Sequence, residues 1–182
     1  MNEKHSINEN KYSLEDEFLS EIVRKIQKRQ HIIGFHPGYS TSNNQEQFQK
    51  EKEGLEKKFN LNLQEGRQHY LRFEAPITWQ IWQDNKLNID STLGYADCEG
   101  FRCGTGHIYS VFNFLSQEQL SLKERPLIVM DATLKNYKKL NGSEVIKTLV
   151  YYKEICKKYH MPYTILFHNS SFDHFDWPGY LD

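Results

Sequence analysis

The chain has 182 residues, which is enough for one folded domain and hardly enough for two. Lysine and arginine together number 23 and aspartate and glutamate 24, and the resulting net charge of −1 argues against a dedicated nucleic-acid-binding protein. No apolar run approaches the ~20 residues that cross a bilayer, and the amino terminus lacks an apolar signal region. The odd count of three cysteines indicates reduced thiols. We therefore expect a soluble, cytoplasmic domain without a membrane span.

The first half of the chain alternates predicted helices with short predicted strands. Residues 1–12 are expected to be a polar lead-in, and residues 13–182 to form one domain. Ser13 has the residue type of a helix N-cap. The predicted elements in this half are a helix over 13–29, a strand over 32–35, a loop over 38–44, a helix over 44–59, a strand over 67–73, a short helix from Pro76 and a strand over 87–89.

The second half continues this alternation after a long loop. Ser143 is the expected N-cap of the last helix. The predicted elements here are a loop over 91–106, a strand over 107–115, a strand over 127–130, the helix from Ser143, a strand over 163–167 and a loop over 169–182. Strands that alternate with helices and are continuously apolar predict an α/β fold with mostly parallel strands covered on both faces.

Four of the apolar runs are followed directly by an ionisable residue. These residues are His36, Asp90, Asp131 and His168. Because the carboxyl ends of parallel strands share one edge of a sheet, the four side chains are expected to meet at one opening, where they could bind a divalent metal or transfer protons. Strands also end in polar residues simply because the chain leaves the core, and this alternative stays open.

Two further segments carry polar side chains. Arg67-Gln68-His69-Tyr70 places four polar groups within four residues, although only alternate residues share a face of a strand. The glycine-rich segment 100–106 contains Arg102 but lacks the Gly-Lys-Ser or Gly-Lys-Thr of a phosphate-binding loop, so we exclude nucleotide binding. Each segment is about equally compatible with an ordinary strand edge or turn. A cysteine nucleophile paired with a histidine stays formally open.

Several of these segments together resemble the polysaccharide deacetylase family, and most closely a bacterial branch of it. Their order and spacing match over almost the whole chain. They are Ile33-Gly34-Phe35-His36-Pro37-Gly38-Tyr39-Ser40, Arg67-Gln68-His69-Tyr70-Leu71, Leu93-Gly94-Tyr95-Ala96, Gly100-Phe101-Arg102-Cys103-Gly104-Thr105, Met130-Asp131-Ala132-Thr133-Leu134 and His168-Asn169-Ser170. The resemblance implies a partial (β/α) barrel of the polysaccharide deacetylase type, and a metal-dependent hydrolase that removes an N-acetyl group from a sugar.

The resemblance also implies a metal and a proton donor. His36 corresponds to the first histidine ligand of a divalent metal such as zinc, and Ser40 stands where the family usually has a second histidine. A neutral serine hydroxyl is a poor divalent-metal ligand beside imidazole or carboxylate. His168 corresponds to the histidine that acts as the acid, and Asp131, preferred over Asp90, is the carboxylate expected to orient it.

The remaining implied site residues act on the base and on the substrate. Arg67 corresponds to the arginine that orients the catalytic base, and Tyr70 to the tyrosine whose backbone helps to hold the oxyanion. We add Tyr39 and Arg102 as residues expected to bind the N-acetylated carbohydrate.

One departure from the family concerns its paired aspartates, which supply the base and a metal ligand. The sequence contains no Asp-Asp pair. The family-like region therefore begins inside the domain: either the chain is truncated, or an upstream segment is encoded separately, or the family chemistry has been lost. In each case we expect reduced or no deacetylase activity from these residues. A barrel that lacks its first strands exposes sheet edges, so an upstream polypeptide or self-association is expected to cover them.

Two alternatives to the deacetylase interpretation stay open. The first is a non-catalytic carbohydrate-binding or interaction module of the same fold, in which aromatic side chains such as Tyr39, Tyr70 and Trp177 stack on sugar rings. The second is a different metal hydrolase that uses His36, Asp131 and His168.

Overall fold

The computed structural model describes residues 13–169. The predicted lead-in over 1–12 lies outside the described residues, as do Trp177 and all of the predicted terminal loop except Asn169. The chain divides into two compact units, which within the described residues comprise 13–91 with 110–123 and 92–109 with 124–169. The prediction of one domain over 13–182 stays a prediction.

The first unit consists of three helices and a four-stranded sheet. The helices are α1 (Glu17–Lys28), α2 (Gln45–Phe59) and α3 (Ile77–Asp84). The strands are β1 (Glu65–Gly66), β2 (Ile89–Asp90), β3 (Tyr109–Asn113) and β4 (Glu118–Glu124). The first residue of β3, Tyr109, and the last residue of β4, Glu124, are assigned to the second unit. The strands lie side by side in the order β1-β2-β4-β3. Strands β1 and β2 are parallel, with Glu65 opposite Ile89 and Gly66 opposite Asp90.

The core of the first unit is centred on aromatic side chains. Phe48 of α2 is completely buried, and its ring centroid lies 5.0 Å from that of Phe35 and 5.4 Å from that of Trp82 in α3. Strand β4 buries every second residue, including Leu120 and Leu122, as expected for a strand with one face on the core. Helix α2 begins where the Asn44 side chain accepts a hydrogen bond from the Gln47 backbone N–H.

The second unit contains two parallel strands and one long helix. Val129 of β5 (Val129–Met130) pairs with Ile165 of β6 (Ile165–Leu166), and α4 spans Gly142–Lys158. A short π-helical turn, Thr133–Tyr137, follows β5. The core residues of this unit are Ile128, Val129, Leu134, Val145 and Cys156, with Phe101, Leu140, Leu149, Tyr152, Met161 and Tyr163 packed against them.

The loop of the second unit is held against β5 by its backbone. Gly100 N–H donates to the Ile128 carbonyl, and Leu127 N–H donates to the Leu93 carbonyl, both at 2.9 Å. A Cβ atom at Gly94 would lie 2.8 Å from Leu127 Cβ, so only glycine fits this approach. Gly94 therefore permits close packing of the loop against Leu127.

The coarse prediction of the fold is confirmed. The chain is a mixed α/β protein with mostly parallel strands, and the predicted strands over 107–115, 127–130 and 163–167 contain β3, β5 and β6. Within residues 13–169 the strands form no closed barrel. None of the helices in those residues has the length and apolar character of a membrane span.

Several local predictions are wrong. The strand predicted over 67–73 is absent, because the chain leaves β1 at Gly66 and turns through a 3₁₀ helix, His69–Leu71. Helix α1 is preceded by Asp16, because Ser13 belongs to a separate turn in which its carbonyl accepts from Asp16 N–H. The predicted strand over 32–35 is reduced to a single bridge between Phe35 and Gly66.

Two more differences concern the ends of elements. Asn141, and not Ser143, caps α4: its side chain accepts from the Glu144 backbone N–H while the Glu144 carboxylate accepts from the Asn141 N–H. Strand β4 was not predicted, because its polar outward residues give it few of the apolar residues that indicate a strand.

Candidate functional site

Asp131 and His168 come together at the carboxyl end of the two-stranded sheet. Asp131 follows β5 directly, and His168 stands two residues after Leu166, the last residue of β6. Met130 lies opposite Leu166 in parallel register, so the two strands end at the same edge of the sheet. The sequence pattern of an ionisable residue after an apolar run therefore produces a direct contact here.

The contact is a hydrogen-bonded carboxylate–imidazole pair. His168 Nδ1–H donates to Asp131 Oδ1 at 2.7 Å, and the His168 backbone N–H donates to Asp131 Oδ2 at 2.8 Å. The Ala132 backbone N–H also donates to Oδ1, at 2.7 Å. The Asp131 side chain is 1% exposed and that of His168 46% exposed. Three N–H donors thus compensate the burial of the carboxylate, as a buried charge requires.

This arrangement fixes which nitrogen of His168 can do chemistry. Because a carboxylate only accepts hydrogen bonds, Nδ1 carries the proton, and Nε2 is the nitrogen with a lone pair in the neutral ring. An oriented imidazole of this kind can accept or donate a proton through Nε2, or ligate a metal through it. Asp131 therefore fixes the orientation of the His168 ring.

His36 is held by the backbone of the first unit. Phe35 and Gly66 form a parallel bridge, and Arg67 N–H donates to the Phe35 carbonyl at 2.9 Å. The Arg67 carbonyl in turn accepts from His36 Nδ1–H at 2.7 Å. A Cβ at Gly66 would lie 1.9 Å from the Phe35 oxygen, so this close approach requires glycine. The His36 ring is therefore anchored through Nδ1 to the backbone.

The Arg67 side chain is fixed at the end of β2. Its Nε donates to the Ser91 carbonyl at 2.6 Å and its Nη2 to Ser91 Oγ at 3.1 Å. Ser91 follows Asp90, whose side chain is completely buried. Arg67 thus links β1 to the chain after β2, and its carbonyl orients His36.

Aromatic and imidazole rings form a continuous series beside His36. The centroid distances are 5.0 Å from His36 to His69, 4.7 Å from His69 to Tyr70 and 5.5 Å from Tyr70 to Tyr39. The Arg72 guanidinium lies 4.0 Å above the Tyr39 ring. Tyr70 is 63% exposed. The two tyrosines predicted to bind substrate are therefore neighbours, and one of them presents its ring to solvent.

The backbone at Tyr70 and Leu71 is in the left-handed region, with φ of 57° and 51°. Non-glycine residues pay of order 1 kcal/mol or more for this conformation, and it occurs mainly where the surroundings impose it. Here the turn bonds Leu71 N–H to the Gln68 carbonyl and Arg72 N–H to the His69 carbonyl. Sequence reasoning misses the contact of His69 with His36, because side-chain alternation along a strand gives no reason to place the two rings together.

Two predicted site residues are not brought to a cluster of ligands. Ser40 lies exposed in the 3₁₀ helix Tyr39–Thr41. Arg102 is exposed and donates from Nη1 to the Gly94 carbonyl at 2.9 Å, which ties the loop to itself. Among residues 13–169, no three histidine, cysteine, aspartate or glutamate side chains are grouped so that they could hold a metal ion.

Two of the three cysteines, Cys98 and Cys156, give little support to a thiolate nucleophile. Desolvation, with Asp97 and Glu99 nearby, raises the pKa of the Cys98 thiol. Burial in the core likewise raises the pKa of Cys156. A thiol with a raised pKa carries less of the reactive thiolate at neutral pH.

Comparison of the chain with protein-family models, with curated proteins and with solved structures gives no match.

Proposed function

We propose that the chain is a hydrolase of the polysaccharide deacetylase type, acting on the N-acetyl group of a sugar. The observation that carries this proposal is the Asp131–His168 pair, in which a buried carboxylate orients a half-exposed imidazole at the end of parallel strands. The sequence segments that resemble the family support the same assignment. The partial (β/α) barrel of that family belongs to this proposal as well.

In this proposal His168 acts as the imidazolium, protonated on both nitrogens: it donates the Nε2 proton to the leaving amine nitrogen and becomes the neutral ring with its proton on Nδ1, which Asp131 keeps in the required orientation. Arg67 is a positioning residue, because its guanidinium is held by Ser91 while its carbonyl fixes His36. A divalent metal, when bound, supplies polarisation of the amide carbonyl and of the attacking water. His36 fits the role of a ligand, whereas the exposed hydroxyl of Ser40 fits it poorly.

We expect slow turnover. The family draws its base and a metal ligand from paired aspartates, and the 182 residues contain no Asp-Asp pair. The oriented imidazole then provides proton transfer alone, which contributes ~10²–10⁴-fold and not the whole acceleration of an enzyme.

The test is acetate release from oligomers of N-acetylglucosamine, measured with added zinc or cobalt. Any release should fall ~10²-fold or more in His168→Gln, since the proton donor is lost. His107→Gln, which changes an exposed histidine of the same unit, should leave the rate unchanged. Release that is insensitive to His168→Gln contradicts the assignment. Fast turnover that depends on His168 contradicts only the expectation that the missing Asp-Asp pair slows the reaction.

A second candidate function is a carbohydrate-binding module without catalysis. The specific observation in its favour is the exposed ring of Tyr70 beside Tyr39, an arrangement on which a sugar ring can stack. Calorimetric titration with the same oligosaccharides separates the two functions. The module is supported by oligosaccharide binding that survives EDTA and is accompanied by no acetate release. Tyr70→Ala should weaken this binding, whereas Tyr137→Ala, which removes another exposed tyrosine, should not.

A further inference from the structure

We infer that the glycan bound by the first unit is acidic, and that the Arg72 guanidinium receives its carboxylate beside the rings of Tyr39 and Tyr70. The inference rests on the carbohydrate function proposed above, and it adds the charge of the sugar and the residue that recognises it. The sequence motifs and the family resemblance assign no role to Arg72. The carrying observation is that Arg72 is half-buried against the Tyr39 ring and, among residues 13–169, has no carboxylate partner.

The Arg72 side chain is held over the Tyr39 ring. Its guanidinium carbon lies 4.0 Å from the ring centroid, well inside the distance of about 6 Å at which a cation is attracted to an aromatic face. Its Nε donates to Ser42 Oγ at 3.4 Å, and its backbone N–H donates to the His69 carbonyl at 3.2 Å. These contacts position the guanidinium before a ligand arrives, so little conformational entropy is lost when an anion binds.

The positive charge of Arg72 is not balanced by a neighbouring side chain. In the part of the chain that the structure describes, its guanidinium has no ion pair, and only Nε has a hydrogen bond. Glu74, two residues further along, accepts from Asn43 Nδ2 at 3.2 Å, and Glu51 accepts from the Gly38 backbone N–H at 2.7 Å. Removing a charge from water costs free energy unless the charge is paired, so the two Nη groups form a fork that favours an anion.

The charge and shape of this fork indicate which anion it binds. The N–H groups of a guanidinium match the two oxygens of a carboxylate and also those of a phosphate. A single guanidinium balances the one charge of a carboxylate, whereas a phosphate monoester carries about −1.5 to −2 at pH 7. A sugar carboxylate, as in a uronic acid, is therefore the better ligand for Arg72.

Tyr70 provides a surface for the sugar ring next to the fork. Its side chain is 63% exposed, and its ring centroid lies 5.5 Å from that of Tyr39. An exposed phenol ring can pack on the apolar face of a sugar. Because Tyr70 and Arg72 both contact the Tyr39 ring, one short oligosaccharide can reach both of them.

The turn that carries these residues is strained. Tyr70 and Leu71 are consecutive non-glycine residues with left-handed φ values of 57° and 51°. Strain of this kind is concentrated in segments that bind ligands, where the surroundings impose it. Here the strained turn exposes Tyr70 and returns the chain so that Arg72 lies over Tyr39.

The experiment is calorimetric titration of the whole chain with two oligosaccharides of equal length. Hyaluronan tetrasaccharide alternates N-acetylglucosamine with glucuronic acid, whereas the N-acetylglucosamine tetramer is neutral. The acidic tetrasaccharide should bind about 10-fold to 100-fold more tightly, which is the contribution expected of a hydrogen bond between charged groups.

Variants assign this difference in affinity to one side chain. Arg72→Gln should abolish it, and Arg72→Lys, which keeps the charge but not the fork, should lose most of it. Arg24→Gln is the matched control, because it changes an exposed arginine of α1 and should preserve the difference. Circular dichroism verifies that the variants are folded, and Arg72→Lys serves as the test if Arg72→Gln does not fold.

Equal affinity for the two oligosaccharides, or a full preference for the acidic one in folded Arg72→Gln or Arg72→Lys, overturns the inference. So does displacement of hyaluronan tetrasaccharide by inorganic phosphate at a lower concentration than glucuronate requires, since the fork then selects phosphate. The inference and the proposed hydrolysis can fail separately. Equal binding together with His168-dependent acetate release contradicts the acidic ligand alone, whereas Arg72-dependent preference for hyaluronan without acetate release contradicts the hydrolase alone.

Discussion

Replacement of Asp131 by asparagine tests whether the carboxylate holds His168. The carboxylate accepts hydrogen bonds from Ala132 N–H, His168 Nδ1–H and His168 N–H, and its side chain is almost fully buried. Asparagine has the same shape but one oxygen fewer, so its NH₂ group must face one of these N–H donors. The variant loses one charge-assisted hydrogen bond and buries a donor without an acceptor, which together cost about 2–4 kcal/mol of unfolding free energy.

The assay is urea unfolding followed by far-UV circular dichroism. Asp97→Asn is the matched control, since Asp97 is an exposed residue of the same unit and its replacement should change stability by less than about 0.5 kcal/mol. A double-mutant cycle of Asp131→Asn with His168→Gln should give a coupling of about 1 kcal/mol, because the His168 backbone bond survives the second change. Nitrogen NMR should also show neutral His168 with its proton on Nδ1.

If Asp131→Asn is as stable as Asp97→Asn, or if neutral His168 carries its proton on Nε2, the carboxylate does not orient the ring. The proton-donor role proposed for His168 then loses its structural basis.

Three further predictions concern packing, ionisation and capping. Gly94→Ala should lower the free energy of unfolding by about 1–3 kcal/mol, because the new Cβ meets Leu127. Gly54→Ala, at an exposed helical position with open space around it, should instead raise that free energy by about 0.5–1 kcal/mol. Urea titrations compare the two variants, and equal effects would contradict the packing of the loop. Burial, with a smaller contribution from Cys156, raises the pKa of Tyr163 to about 12. The stability that Tyr163 contributes through its neutral phenol is therefore fully present below the unfolded pKa of about 10 and is lost as the pH rises towards 12. In urea titrations the difference in unfolding free energy between the unchanged chain and Tyr163→Phe should shrink above pH 10. A difference that stays constant would refute this. Asn141→Ala removes the cap of α4 and should cost about 1 kcal/mol in the same measurement, and a loss below about 0.3 kcal/mol would show that the capping box contributes little.

The elements that could be predicted from the sequence are those with an unambiguous apolar pattern. Helices α2 and α4 carry apolar residues at helical spacing, and strands β5 and β6 lie in short apolar runs, so their positions follow from the sequence. The Asp131–His168 contact could be predicted because each residue directly follows an apolar run, and two parallel strands end at the same edge of the sheet.

The sequence was less informative where turns and long-range bonds decide the conformation. The polar run from Arg67 to Tyr70 has strand-like residue types, but a backbone bond to Phe35 ends β1 before it and the left-handed conformation of Tyr70 turns the chain. His69 reaches His36 only because of that turn. Local residue preferences contain no term for such a contact between residues 33 positions apart in the sequence.

The Gly66 position has a consequence for the gene as well as for the protein. Its backbone passes so close to the Phe35 carbonyl that no side chain of any size fits. Any single-nucleotide change in a glycine codon that alters the amino acid adds a side chain or ends translation. At this codon the only nucleotide changes that leave the fold intact are therefore synonymous ones. Random mutagenesis with selection for folded chains should recover glycine there.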